Sequence, residues 1–184
     1  MPEDLLFRLR FPAFASLAAA AALRLRWLHI PVAGVYTFAA PRIGDRALAR
    51  LYAEQAIPTA RYEFRDDVVP FWPFQPGEID AIIGDRSFWQ KLLDHFFDGI
   101  VGSEFSDVGN LRYSGDGVRL ESVAGQEEEG LNAWRRGLLA RERKDIGFEG
   151  LIAHAAQAHP LEGSAPPESA APLTSYETMV CRPD

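Results

Sequence analysis

The chain has 184 residues, 47% hydrophobic and 24% charged, with a net charge of −7. These values describe one globular domain large enough for a substantial core. The acidic balance argues against nucleic acid as a partner, because phosphate binding needs a basic face, and leaves contact with lipid open, because lipid is met through apolar surface.

The first predicted element is a helix over residues 11–29, dominated by alanine and leucine and unbroken after Pro12. Its apolar run Phe11–Leu23 is too short to span a bilayer as a helix. Arg8 and Arg10 before the run give it some likeness to a secretion signal, but Glu3 and Asp4 dilute the basic start and Arg24 and Arg26 follow directly. A packed, alanine-rich helix is the better reading, and a cytoplasmic location is favoured. The single cysteine, Cys181, cannot close an internal disulfide and reads as an idle thiol.

Pro31 starts a new segment, and VAGVYTFAAP, Val32 to Pro41, has the β-branched and aromatic character of a buried strand. Gly44 and Asp45 form a turn, with Asp45 as N-cap of a helix from Arg46 to about Gln55 that Pro58 ends. Thr59 to Val69 is the next strand, closed by Pro70 and Pro73. Strand, helix and strand at this spacing make a βαβ unit and predict a parallel sheet.

From Glu78 to Val101 apolar doublets recur, Ile82-Ile83 and then, four apart, Phe88-Trp89, Leu92-Leu93, Phe96-Phe97 and Ile100-Val101. They place a broad apolar stripe on a helix, read as buried against the sheet rather than as a lipid-facing flap. Asp107 to Val123 is a hairpin, with alternation flanking the turn Ser114-Gly115-Asp116-Gly117. Gln126 to Lys144 is a polar helix, acidic first and basic last as the helix dipole prefers, and a solvated face accounts for its charges. The Pro/Ser/Ala-rich stretch within residues 163–175 reads as a mobile loop.

Three segments carry a family likeness. VYTFAAPRIGD resembles the strand-turn motif YTFGxPRVGN of the class 3 (fungal-type) lipases. FRDDVVPFWP is similar to that family's (R/N)xxDxVPxLP segment, and DVGNLRYSGDGVRL resembles its strand and hairpin. The resemblance runs from about Ala13 to Tyr176, with residues 78–105 as a helical insertion. It implies an α/β fold: residues 1–184 form a single partial domain with an incomplete α/β-hydrolase-type sheet, flanking helices and a C-terminal β-hairpin.

By the same resemblance Asp67, not Asp66, is the acid of a Ser-His-Asp triad, since it directly precedes Val-Val-Pro. Such an acid accepts the imidazole Nδ1–H, fixes the tautomer and stabilises the imidazolium. The competing reading of Asp66-Asp67 is a turn with a cap. The base should follow the acid in the chain. His29 precedes it, and His95 lies inside the apolar stripe. Of the remaining two, His159, in a loop-starting His-Pro with Tyr176 beyond, fits better than His154, which sits within a helix.

The family's nucleophile stands in G-H-S-L-G-G, a strand-to-helix elbow. Aligning Ala15–Ala20 with the helix after the elbow puts Leu9 in the serine's place, and no G-x-S-x-G occurs in the 184 residues. Ser16 lies too far into the helix, and Ser114 and Ser164 lack the context. The resemblance thus implies a serine ester hydrolase of lipid metabolism, acting on lipid or small ester substrates, with peripheral membrane contact. Nucleophile and oxyanion hole are missing, so a truncated, inactive form is expected. The alternative is a non-catalytic lipid- or protein-binding remnant. No cofactor is implied, and His154 and His159, five apart, are wrongly spaced for two metal ligands on one helical face. A half-sheet of this kind should expose an edge at Val32–Ala40.

Overall fold

A computed structural model describes residues 12–75, 78, 79, 82, 104–116 and 119–158. Helix α1, Pro12–Trp27, is followed by β1, Val35–Phe38, the short β2, Gly44–Asp45, and α2, Arg46–Glu54. Then come β3, Thr59–Phe64, a single 3₁₀ turn at Val69–Phe71, β4, Phe105–Ser106, and the hairpin strands β5, Asn110–Ser114, and β6, Glu121–Val123. The long α3, Gln126–Ala158, closes the described chain.

Four strands form one sheet in the order β1-β3-β5-β6. β1 and β3 run parallel, as do β3 and β5, and β6 returns antiparallel to β5. The expected βαβ unit and hairpin are present, so the chain has a mixed α/β fold. A separate ribbon joins β2 to β4.

Asp45 caps α2 as expected, its Oδ1 accepting from the Leu48 N–H at 2.8 Å. The entry to β5 depends on Gly109, whose φ is +86°. A Cβ there would lie 2.4 Å from the Thr59 methyl, so the chain enters β5 by pressing its backbone against β3.

The three helices share one face of the sheet. Ala19, Ala22 and Leu23 of α1 and Tyr52 of α2 pack on Val35, Ile57 and Val108. Leu131 of α3 packs on Leu111, Tyr113 and Val123, and Leu139 and Leu151 join Val68, Phe71, Phe74 and Ile82. The other face carries Tyr36, Phe38, Tyr62 and Arg112, with Phe38 stacked on Tyr62 at 4.9 Å. No described helix packs over it, and Tyr36 is 67% exposed. β1 also forms the outer edge among the described strands, in line with the edge expected there.

Two expectations need correction. The strand predicted to reach Val69 ends at Phe64, because Arg65, whose N–H still donates to the Ser114 carbonyl at 2.9 Å, turns into the left-handed region at φ +46° and leads the chain out of the ladder. The strand predicted over Val32–Pro41 has only the four residues Val35–Phe38. The helix predicted over Gln126–Lys144 is present and runs to a break at Gly147, whose φ of 70° and ψ of 174° only glycine adopts at no steric cost, beyond which a second helical segment, the one expected to hold His154, reaches Ala158. Of the predicted stripe at Glu78–Val101 only Glu78, Ile79 and Ile82 are described, and Ile82 is fully buried. The rest of that insertion and the expected loop at 163–175 lie outside the described residues. Among the described residues no helix is long and apolar enough to cross a membrane.

Candidate active site

Asp67 stands three residues beyond the last residue of β3, in the turn that redirects the chain. This is the carboxyl end of a parallel strand, where open α/β sheets present functional groups. Its N–H donates to the Phe64 carbonyl at 3.1 Å, and its Oδ1 accepts from the Val69 N–H at 2.9 Å. The carboxylate thereby satisfies the first N–H of the 3₁₀ turn at Val69–Phe71 from the residue before its N-cap Val68, and Asp67 is only 4% exposed. The turn-with-cap reading therefore describes its local role. This bond fixes the carboxylate in direction, which an orienting acid also requires.

The turn is gripped from α3. Arg135, fully buried, donates from Nε to the Arg65 carbonyl at 3.1 Å and from Nη2 to the Asp67 carbonyl at 3.0 Å. Its Nη1 donates to the Glu63 carboxylate. The guanidinium lies 4.9 Å from the Phe71 ring centre and 5.5 Å from that of Tyr113. The Tyr113 hydroxyl donates to the same Arg65 carbonyl at 3.2 Å. Burial raises the Tyr113 hydroxyl above its ordinary value, with Arg135 opposing. Two turns further along α3, Glu142 hydrogen-bonds Asp66. Burial and that bond push the Glu142 carboxyl up to about 7.

The reading of α3 as a solvated face is thus overturned for Arg135. Glu128 also faces the sheet, paired with Arg61. Arg61 further meets Glu63 at 3.0 Å and Asp107 at 3.3 Å. Burial alone would lower the Arg61 pKa, but the carboxylates of Asp107, Glu63 and Glu128 raise it. Burial pushes the Asp107 carboxyl up to about 6 against the pull of Arg61.

Arg42, from the PRIGD motif, links this network to the loop after β3. It forms a two-pronged pair with Glu78, at 2.7 and 2.8 Å, and donates to the carbonyls of Phe71 and Pro73 at 3.0 Å each. A cleft of about 450 Å³ opens beside it, lined by charged and polar residues including Asp107, Glu128, Glu129 and Arg136, with Phe105 the one apolar wall. Such walls do not match the apolar lining an acyl chain needs.

The other predicted site residues fall as follows. His159 lies outside the described residues. His154 is on α3 beyond the Gly147 break, and its backbone alone is described. His29 ends α1 in the left-handed region, at φ 59°. Ser16 is tied down as a structural residue, its hydroxyl donating to the Pro41 carbonyl at 2.7 Å. Ser114 is fully buried at the end of β5. Leu9, His95, Ser164, Tyr176 and Cys181 lie outside the described residues. Among the described residues no three His, Cys, Asp or Glu side chains could hold a metal ion. Arg135 and Glu63 were not legible as site neighbours, and the only sequence signal would have been an isolated arginine on the apolar side of α3.

Residues 12–77 match the model of the class 3 lipase family. The match covers both leading motifs and Asp67, and it bears out the resemblance read from them. The hairpin DVGNLRYSGDGVRL lies outside it. No curated protein and no solved structure matches the chain.

Proposed function

We propose, from the class 3 lipase pattern of residues 12–77, that this chain carries the acid and the base of a lipase-like carboxylic ester hydrolase on an α/β-hydrolase-type sheet. Asp67 accepts the Nδ1–H of an imidazole, with His159 as the base and His154 as its competitor. In the complete reaction the imidazole takes the proton of a serine hydroxyl as that oxygen attacks the ester carbonyl. It then returns the proton to the leaving alcohol. The observation that carries this reading is the placement of a buried, backbone-anchored carboxylate at the carboxyl end of β3, inside the matched segment. The 184 residues contain no G-x-S-x-G. On its own this chain therefore lacks the attacking oxygen, and we read it as catalytically silent toward lipid and small ester substrates.

Imidazole titration by NMR tests the pairing without requiring turnover. An imidazole held by Asp67 titrates about one pH unit above the ordinary value near 6.5, and Asp67→Asn abolishes that shift. If no histidine responds to Asp67→Asn, the triad assignment fails. The purified chain should leave p-nitrophenyl butyrate intact. Hydrolysis that Asp67→Ala abolishes would overturn the reading of silence.

A second reading, a non-catalytic binding remnant with peripheral membrane contact, draws support from the open sheet face where Tyr36 is 67% exposed. Liposome co-sedimentation that Tyr36→Ser weakens would favour it.

A further inference from the structure

We infer that Arg135 is a positioning residue for Asp67, holding the acid's turn in the one geometry that points its carboxylate; this rests on the reading of Asp67 as the acid. Three observations meet at this side chain. First, the turn is conformationally costly, since Arg65 occupies the left-handed region at φ +46° without being glycine or asparagine. Something must over-determine it. Second, the guanidinium binds the carbonyls of Arg65 and Asp67, on either side of Asp66, from two nitrogens of one plane. Only a planar fork spans both while still reaching Glu63. Third, Arg135 is fully buried, and Phe71, the last residue of the 3₁₀ turn whose first N–H Asp67 satisfies, lies against its guanidinium. The same plane therefore fixes both backbone carbonyls of the turn and the aromatic ring that follows it.

A buried guanidinium is expensive to desolvate, and an apolar side chain could fill the space. Its presence is accounted for by what it orients. The Tyr113 hydroxyl acts in the same sense from the sheet, on the same Arg65 carbonyl. The Glu63 carboxylate compensates the charge.

The reporter is the Val69 amide, whose hydrogen ends on the Asp67 Oδ1. Amide exchange measured on the full chain should show Val69 exchanging roughly tenfold faster or more in Arg135→Lys, with the amides of β3 and β5 unchanged. Should Arg135→Lys fail to fold, Tyr113→Phe removes only a hydroxyl from the same carbonyl and should accelerate Val69 severalfold. The imidazole titration supplies the second readout, because Arg135→Lys should shrink the Asp67-dependent shift by loosening the turn whose Arg65 and Asp67 carbonyls Arg135 holds. Unchanged Val69 exchange in a folded variant overturns the inference. So does an undiminished imidazole shift. If the unmodified chain shows no Asp67-dependent shift, the triad reading fails by itself, and Val69 exchange alone decides whether Arg135 holds the turn.

Discussion

Arg42 and Glu78 face each other as a parallel fork, with Nη1 2.7 Å from Oε2 and Nη2 2.8 Å from Oε1, and both side chains are almost wholly buried. The pair fastens the loop after β1 to the segment beyond the 3₁₀ turn, and so encloses the chain on both sides of Asp67. Removing one member leaves the other buried with only a longer, weaker ion pair, Glu78 with Arg136 at 3.4 Å or Arg42 with Asp107 at 3.8 Å. Glu78→Gln and Arg42→Met should each cost about 3–5 kcal/mol in urea unfolding, whereas replacing both by apolar residues should cost much less. Arg42→Lys should fall near the single variants, because an ammonium cannot make the fork.

Asp45 tests a smaller effect in the same motif. Its carboxylate satisfies the Leu48 N–H at the start of α2. Asp45→Ala should cost about 1 kcal/mol, and Asp45→Asn only a fraction of that.

Gly109 should tolerate no side chain. Gly109→Ala must adopt a φ of +86° and bring a Cβ within 2.9 Å of the Thr59 carbonyl oxygen. A loss of about 2 kcal/mol or more is expected, with β3 and β5 amides exchanging faster together.

Stability should decline as the pH rises from about 4 to about 7. Asp107, raised from 3.8 to about 6, and Glu142, raised from 4.5 to about 7, hold protons in the folded chain that the unfolded chain has released. A raised value contributes stability that is fully present below the unfolded value and disappears as the pH passes the folded one. The Asp107 part is lost between pH 3.8 and about pH 6, and the Glu142 part between pH 4.5 and about pH 7. Tm followed across this range should fall, with Glu142→Gln flattening the upper half and Asp107→Asn the lower. A Tm that climbs steadily with pH would contradict both assignments.

The sequence disclosed the βαβ order, the Asp45 cap and the hairpin, because alternation, capping chemistry and turn residues are local signals. It did not disclose which way the strands face. Tyr36, Phe38 and Tyr62 alternate correctly with Thr37, Arg61 and Glu63, yet the charged residues point toward the helices and two of the aromatics, Tyr36 and Phe38, toward solvent. Hydrophobic patterning assigns the inner face to the apolar set and so inverts the sheet. Arg135 was hidden for the same reason, since a charged residue on a helix reads as exposed until the partners from β3 and the following turn arrive. The early end of β3 depends on the single left-handed residue Arg65, which no propensity predicts.

The layer between α3 and the sheet sets a salt lattice beside its hydrocarbon, with Arg61, Glu63 and Arg135 each no more than 3% exposed next to the cluster of Leu111, Tyr113, Val123 and Leu131. Unfolding hydrates those groups, and newly hydrated polar surface lowers the heat capacity while apolar surface raises it. The calorimetric increment should therefore fall below the ordinary ~12–15 cal/mol/K per residue. The stability curve should be correspondingly a little flatter, so that the fold changes less in strength between cold and warm.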